Sequence, residues 1–168
     1  MAPLGASLTP RCATLQTPSG VIFPKNPVLP FEFTLPGRPL SNQTKDKTRL
    51  KAWQAKVSHV ASNLWLSAHP CEASVRMKLK LTYYFEAPDG REDNVPDSDN
   101  IVKPIREALV GIVYDYDYQV TDVISRRRNL GGSFRIKGIS QVLADAFIQG
   151  VEFVHVRIEV APDPADLS

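Results

Sequence analysis

Four aspartates crowd one stretch of this chain, and their spacing sets the question of what it does. Asp97 and Asp99 form an Asp-x-Asp pair, and Asp115 and Asp117 form a second one. Three kinds of chemistry use carboxylates spaced like this. An Asp just before a helix can accept from the free N–H groups of the first turn and oppose the helix dipole. That accounts for Asp97 and Asp99 and is the simpler reading of their spacing, but it says nothing of Asp117. A calcium loop of the EF-hand type needs oxygen ligands at positions 1, 3 and 5 and a glycine at position 6. Counted from Asp97, position 5 is Ile101 and position 6 is Val102, so that loop is excluded. The third reading is a magnesium site for phosphodiester chemistry. A few hard carboxylate oxygens would hold the ion and leave its other positions to water and phosphate. A lysine nearby, Lys103, would offset charge on the phosphate.

The segment between the two pairs must position them. With Ile101 at zero on a helical wheel, Ile105, Ala108, Leu109 and Ile112 fall within about 80° of it. Asp99, Lys103, Arg106 and Glu107 fall on the opposite side, so a helix here buries one face and offers charge on the other. Gly111 reads as its stop, and Tyr114 to Val120 leads into a strand. Elsewhere the pattern predicts a strand over Phe31–Leu35 and a turn at Pro36-Gly37. A helix follows from about Asp46, with Leu50, Trp53, Val57, Val60, Ala61 and Leu64 on one face, ended by Pro70. Ala73–Ala87 alternates as a half-buried strand whose second face is basic, and Pro88-Asp89-Gly90 is a turn. Val120–Asn129 reads as a strand ending in Arg126, Arg127 and Arg128. Ile139 to Phe147 has helical spacing, stopped by Gly150, and Val154–Val160 alternates as a last strand. The expectation is a single small α+β domain over residues 31–161, in the order β-α-β-α-β-β, with helices packed on one face of a mixed sheet.

Composition narrows the classes. The 168 residues suffice for one domain with a real core. No apolar run approaches the roughly 20 residues of a membrane span. Two cysteines and three scattered histidines give neither a disulfide framework nor a zinc pattern. A net charge of +2 is too small to argue nucleic-acid binding by itself. The basic residues cluster, however, away from the aspartates, at Arg38, Lys45, Lys47, Arg76, Lys78 and Arg126 to Arg128. Such groups suit phosphate backbone, and equally a solvated face. Residues 1–30 hold six prolines and no acidic residue, and with residues 162–168 they read as disordered tails. A cytoplasmic, nucleoid-associated protein is expected, with organelle targeting by residues 1–30 as the alternative.

The 24 residues DSDNIVKPIREALVGIVYDYDYQV resemble the signature of the RusA-type Holliday junction resolvases. The matching positions are Asp97, Asp99 and Asn100, then Lys103, then Glu107-Ala108-Leu109, then Asp117 and Gln119-Val120. FTLPGRPLSNQ is similar to the family's first strand and turn. The resemblance implies a magnesium-dependent endonuclease, with Mn²⁺ as an alternative ion, acting as a homodimer on four-way DNA junctions in recombination and repair. It implies Asp97, Asp99 and Asp117 as metal ligands and Lys103 as the residue serving the scissile phosphate, with Asp115 and Asn100 as additional candidates. The chain departs from the family pattern at Tyr116, which separates two acidic residues that are usually adjacent, in a longer 131–150 segment and in its N-terminal extension. The alternatives are a flap- or fork-directed nuclease and a branched-DNA-binding protein of this fold without catalysis.

Overall fold

The computed structural model describes residues 28–88 and 91–166. Residues 1–27, which make up nearly all of the expected N-terminal tail with its targeting alternative, lie outside the described residues, as do the centre of the Pro88-Asp89-Gly90 turn and the last two residues.

The order is β1 (Phe31–Pro36), α1 (Lys47–Leu64), β2 (Met77–Phe85), α2 (Val102–Leu109), β3 (Val120–Asn129), α3 (Gln141–Ile148) and β4 (Phe153–Val160). One turn of 3₁₀ helix, Asp117–Gln119, leads into β3. The strands form a single mixed sheet in the order β1-β4-β2-β3. β2 and β3 run parallel, and β4 lies antiparallel between β1 and β2. A parallel pair cannot be joined by a tight turn, so the chain needs a crossover from β2 to β3. That crossover is the segment with the four aspartates, and α2 is its helix.

Alternation along the strands decides what covers each face. Phe31, Phe33 and Leu35 of β1, Met77, Leu79, Leu81 and Tyr83 of β2, and Val154, Val156 and Ile158 of β4 are all buried under α1 and α2. α1 is capped by Asp46, whose carboxylate accepts from the Arg49 N–H at 3.0 Å, and contributes Leu50, Val57 and Ala61 to the core. Leu64, expected on the buried face, is exposed instead. The helix ends there, and Trp65 turns inward, edge-on to Phe31 at 5.0 Å. α2 buries Ile105 and Leu109 completely, with Ile101 just ahead of it. Each such side chain contributes about 1.5–3 kcal/mol relative to exposure. Gly111, at φ +78°, provides the left-handed residue that ends this segment.

The expectation of helices on one face holds for α1 and α2. The short α3 packs on the other face, where Tyr84, Leu143, Ala146 and Phe153 form a second small core with Phe134, Ile136 and Phe147. The second face of β2 is therefore not the open basic surface expected. Tyr84 is buried there, and Lys80 is paired with Glu159 at 2.6 Å. Beside this core Glu32 accepts from Ser140 Oγ, His155 Nε2 and Arg157, which ties β1, β4 and the start of α3 together.

Candidate active site on the β2–β3 crossover

α2 leaves Asp97 and Asp99 free of any helix-capping task. Its N-cap residue is Ile101, and no side chain caps it. Backbone carbonyls of Asp97 and Asp99 turn the chain by accepting from Asn100 and Val102, and both aspartate side chains point away exposed. The capping reading of this pair is thereby removed. The loop is held against the edge of the sheet instead. Ser125 Oγ donates to the Ser98 carbonyl, and Arg127 donates to the Val95 carbonyl at 3.1 Å. The same Arg127 guanidinium lies 3.7 Å from Asp97.

The second acidic segment is organised by Gln119, a fully buried polar residue. Its Oε1 accepts from the backbone N–H groups of Asp115 and Tyr116, both at 3.1 Å. Its Nε2 donates to the carbonyls of Glu72 and Val75 just ahead of β2. One amide thus bonds backbone groups of two segments, joining the acidic turn to the chain ahead of β2. It holds Asp115, Tyr116 and Asp117 on a firm base. Asp117 is exposed and faces Arg106 of α2, whose guanidinium is 3.8 Å from its carboxylate and donates to its carbonyl at 2.8 Å. Arg106 Nε is buried without an acceptor. Tyr114 is buried under this turn and donates to the Arg106 carbonyl at 2.8 Å, and burial raises its phenol pKa well above the usual value.

Lys103 stands exposed on α2 one turn beyond Asp99, 3.8 Å from Glu107, which also accepts from Gln54 of α1. The Asn42 N–H donates to the Asn100 carbonyl at 2.9 Å. That bond brings the basic turn with Lys45 and Lys47 to the Asp-x-Asp loop. The other basic residues divide. Arg127 is on the site's face of β3, and Arg76 lies over the Tyr118 ring at 5.5 Å. Lys78, Arg126 and Arg128 project from the other face of the sheet, in register with Asp122, Thr82 and Tyr84. Arg38 is exposed just after β1.

The structure therefore gathers Asp97, Asp99, Asn100, Lys103, Asp115, Asp117 and part of the basic set around α2. It does not close the carboxylates into a cage. Among the described residues, no three His, Cys, Asp or Glu side chains come together closely enough to hold an ion. Asp97 and Asp99 precede the first turn of α2, whereas Asp117 is tied to Arg106 in its last turn, about 6 Å of helix rise beyond Val102. Arg106 and the buried Gln119 carry this geometry. The pattern of the sequence placed Arg106 only on an exposed face and Gln119 only as part of a motif.

The model of the endodeoxyribonuclease RusA family matches residues 36–137, more than half of the chain and all of the site just described. The chain belongs to the RusA endodeoxyribonuclease family. Membership implies nuclease chemistry on DNA of the Holliday junction resolvase kind. No curated protein matches the chain in sequence. No helix among the described residues is long and apolar enough to cross a membrane.

Proposed function

We propose that this RusA-family chain is a structure-selective endonuclease that cuts four-way DNA junctions by phosphodiester hydrolysis with Mg²⁺, or Mn²⁺ in its place, in recombination and repair. The family match over residues 36–137 carries the reading. The uncapped, exposed Asp97 and Asp99 at the start of α2 support it.

Asp97, Asp99 and Asp117 would hold the cation once drawn together from the separate positions they occupy here. Their hard carboxylate oxygens suit Mg²⁺, which takes few protein ligands and completes its shell with water and phosphate. Asp97 and Asp117 now face Arg127 and Arg106, at 3.7 and 3.8 Å, with 70% and 65% of their side chains exposed. Pairs so exposed are worth about 0–1 kcal/mol, so a cation and a DNA phosphate could exchange them readily. When bound, the cation supplies positive charge at the phosphate oxygens and lowers the pKa of its water. The chain's own contribution is placement. Lys103 offers an exposed ammonium one turn from Asp99. Arg127, once released from Asp97, has a guanidinium suited to phosphate. Lys45, Lys47, Arg38 and Arg76 would hold backbone without reading bases, with Lys78, Arg126 and Arg128 on the far side of the sheet.

A second reading, branched-DNA binding without cutting, is favoured by the absence of a three-ligand group among the described residues. Incubation of the purified chain with a four-way junction, a fork and a linear duplex in Mg²⁺ separates the readings. The proposal expects paired cuts in the junction and none in the duplex. Binding without cutting, in Mg²⁺ and in Mn²⁺, selects the second reading, and cuts confined to the fork select a fork-directed nuclease.

A further inference from the structure

Beside Asp117 stands a feature that the cleavage chemistry leaves unused. Tyr116 and Tyr118 stack on each other with ring centroids 5.1 Å apart and planes 11° from parallel. Both are more than half exposed, at 52% and 55%. They alternate with the aspartates, so they rise from the turn that Gln119 fixes by accepting from the Asp115 and Tyr116 N–H groups. Tyr118 has a second neighbour, the Arg76 guanidinium at 5.5 Å. Among the described residues Tyr116 has no ring or cation neighbour other than Tyr118. The three groups make a short π-stack of Arg76, Tyr118 and Tyr116, with its unfinished end at Tyr116.

We propose that Tyr116 is a stacking platform for an unpaired nucleobase at the branch point of the DNA, a specificity-determining contact that rests on the nuclease reading above. Three observations select a base over other occupants. The platform is aromatic and already stacked, and every base presents a π-face to such a ring. Asp115 and Asp117 flank Tyr116 in sequence and are exposed, so where no cation neutralises them phosphate is repelled from the ring while an uncharged base is not. Arg76 supplies positive charge at the Tyr118 end, where the backbone of the same strand would run. Because Gln119 holds the turn in place, the ring is preorganised and little entropy is lost when a base settles on it. In a linear duplex every internal base pair is stacked on both sides, whereas a pair at an opened branch point lacks a stacking neighbour and gives up its base at less cost, so the platform favours branched DNA over duplex.

A cycle of protein and DNA changes tests this in chelator, where no strand is cut. Fluorescence anisotropy measures the affinity for a four-way junction with one unpaired deoxyadenosine at the crossover, and for the same junction with an abasic residue there. The wild type should bind the abasic probe about 5- to 150-fold more weakly, the range for one stacked base. Tyr116→Ala should lose a similar factor on the adenine probe and lose nothing further on the abasic one, because both changes remove the same contact. Tyr116→Phe should keep the wild-type preference. An equal loss on both probes with Tyr116→Ala, or no loss on either, overturns the platform while leaving the nuclease reading standing. A wild type that binds neither junction better than duplex overturns both.

Discussion

Of the residues that carry charge around α2, Lys103 has the simplest surroundings. It is exposed and its ion pair with Glu107 is long, so removing it should leave folding stability within about 0.5 kcal/mol. Lys103→Ala should therefore slow junction cleavage by at least about tenfold with junction affinity nearly unchanged. Single-turnover cleavage beside a binding titration checks it, and a wild-type rate removes Lys103 from the site. Lys103 was legible in the sequence because the helical wheel put it opposite the buried Ile101, Ile105 and Leu109. Arg106 and Arg127 were not legible as partners of the aspartates. Arg127 meets Asp97 only because β3 lies alongside the Asp-x-Asp loop, and no local pattern reports that neighbour.

At the scale of elements, the crossover depends on one amide. Gln119→Leu keeps the volume but takes the shared acceptor from the Asp115 and Tyr116 N–H groups and the amide donor from the Glu72 and Val75 carbonyls, of which Glu72 still accepts from the Val75 N–H. The expected cost is about 2–4 kcal/mol, together with loss of cleavage, because the acidic turn loses its support. Chemical denaturation measures the first, and a cost under about 0.5 kcal/mol would show that the turn does not need Gln119. The second face of the sheet has its own polar latch. Burial pushes the His155 imidazole below its usual pKa, against the opposing pull of Glu32. His155 is thus neutral near pH 7 and donates through Nε2 to Glu32 at 2.6 Å. Burial would raise the Glu32 carboxyl, but hydrogen bonds from Ser140 and His155 and the nearby charge of Arg157 hold it below its usual value. Both groups have a lower pKa folded than unfolded. Their stabilisation is present above the ordinary His value near 6.5 and declines as pH falls, first through His155 and then, below about 4.5, through Glu32. Thermal melts from pH 8 to pH 4 should show a falling midpoint, with the drop below pH 5 reduced in Glu32→Gln. A midpoint independent of pH over that range contradicts the latch. The bounds of β3 were readable from the sequence, and alternation gave β4 to within one residue, missing only Phe153. It could not show that α3 would cover the second face, since Tyr84 sits among lysines and arginines in the sequence and finds Phe147 and Phe153 only in space.

For the whole molecule, the paired cut is a matter of symmetry. One site per chain makes one cut, whereas a four-way junction must be cut on two equivalent strands, so a two-fold homodimer matches the substrate. In the sequence, the apolar segment Ile139 to Ile148, with Phe134 and Ile136 before it, reads either as surface for that assembly or as a cap on the protomer's own core; Phe134, Ile136 and Phe147 pack on the core of Tyr84 and Phe153 within the protomer. Ile139 and Ile148 stay exposed, Ile148 at 82%. The proposed dimer thus rests on the substrate's symmetry more than on this patch. Light scattering across micromolar concentrations should give a mass near twice that of the 18.6 kDa chain. A mass that stays near one chain, with junction and without, contradicts the paired-cut mechanism. The overall α+β plan was legible because each element keeps its own periodicity, and the family signature lies within one continuous crossover.

The most direct test of the account is to measure junction cleavage and thermal stability together in Asp97→Asn and Asp99→Asn. Neither carboxylate caps α2, and the Asp97 pair with Arg127 is exposed, so both variants should melt within about 0.5 kcal/mol of the wild type. Each loses a charged oxygen that a divalent cation needs, and each should fall to background cleavage in Mg²⁺. Cleavage at the wild-type rate in both variants would contradict the assignment of this loop as the active site.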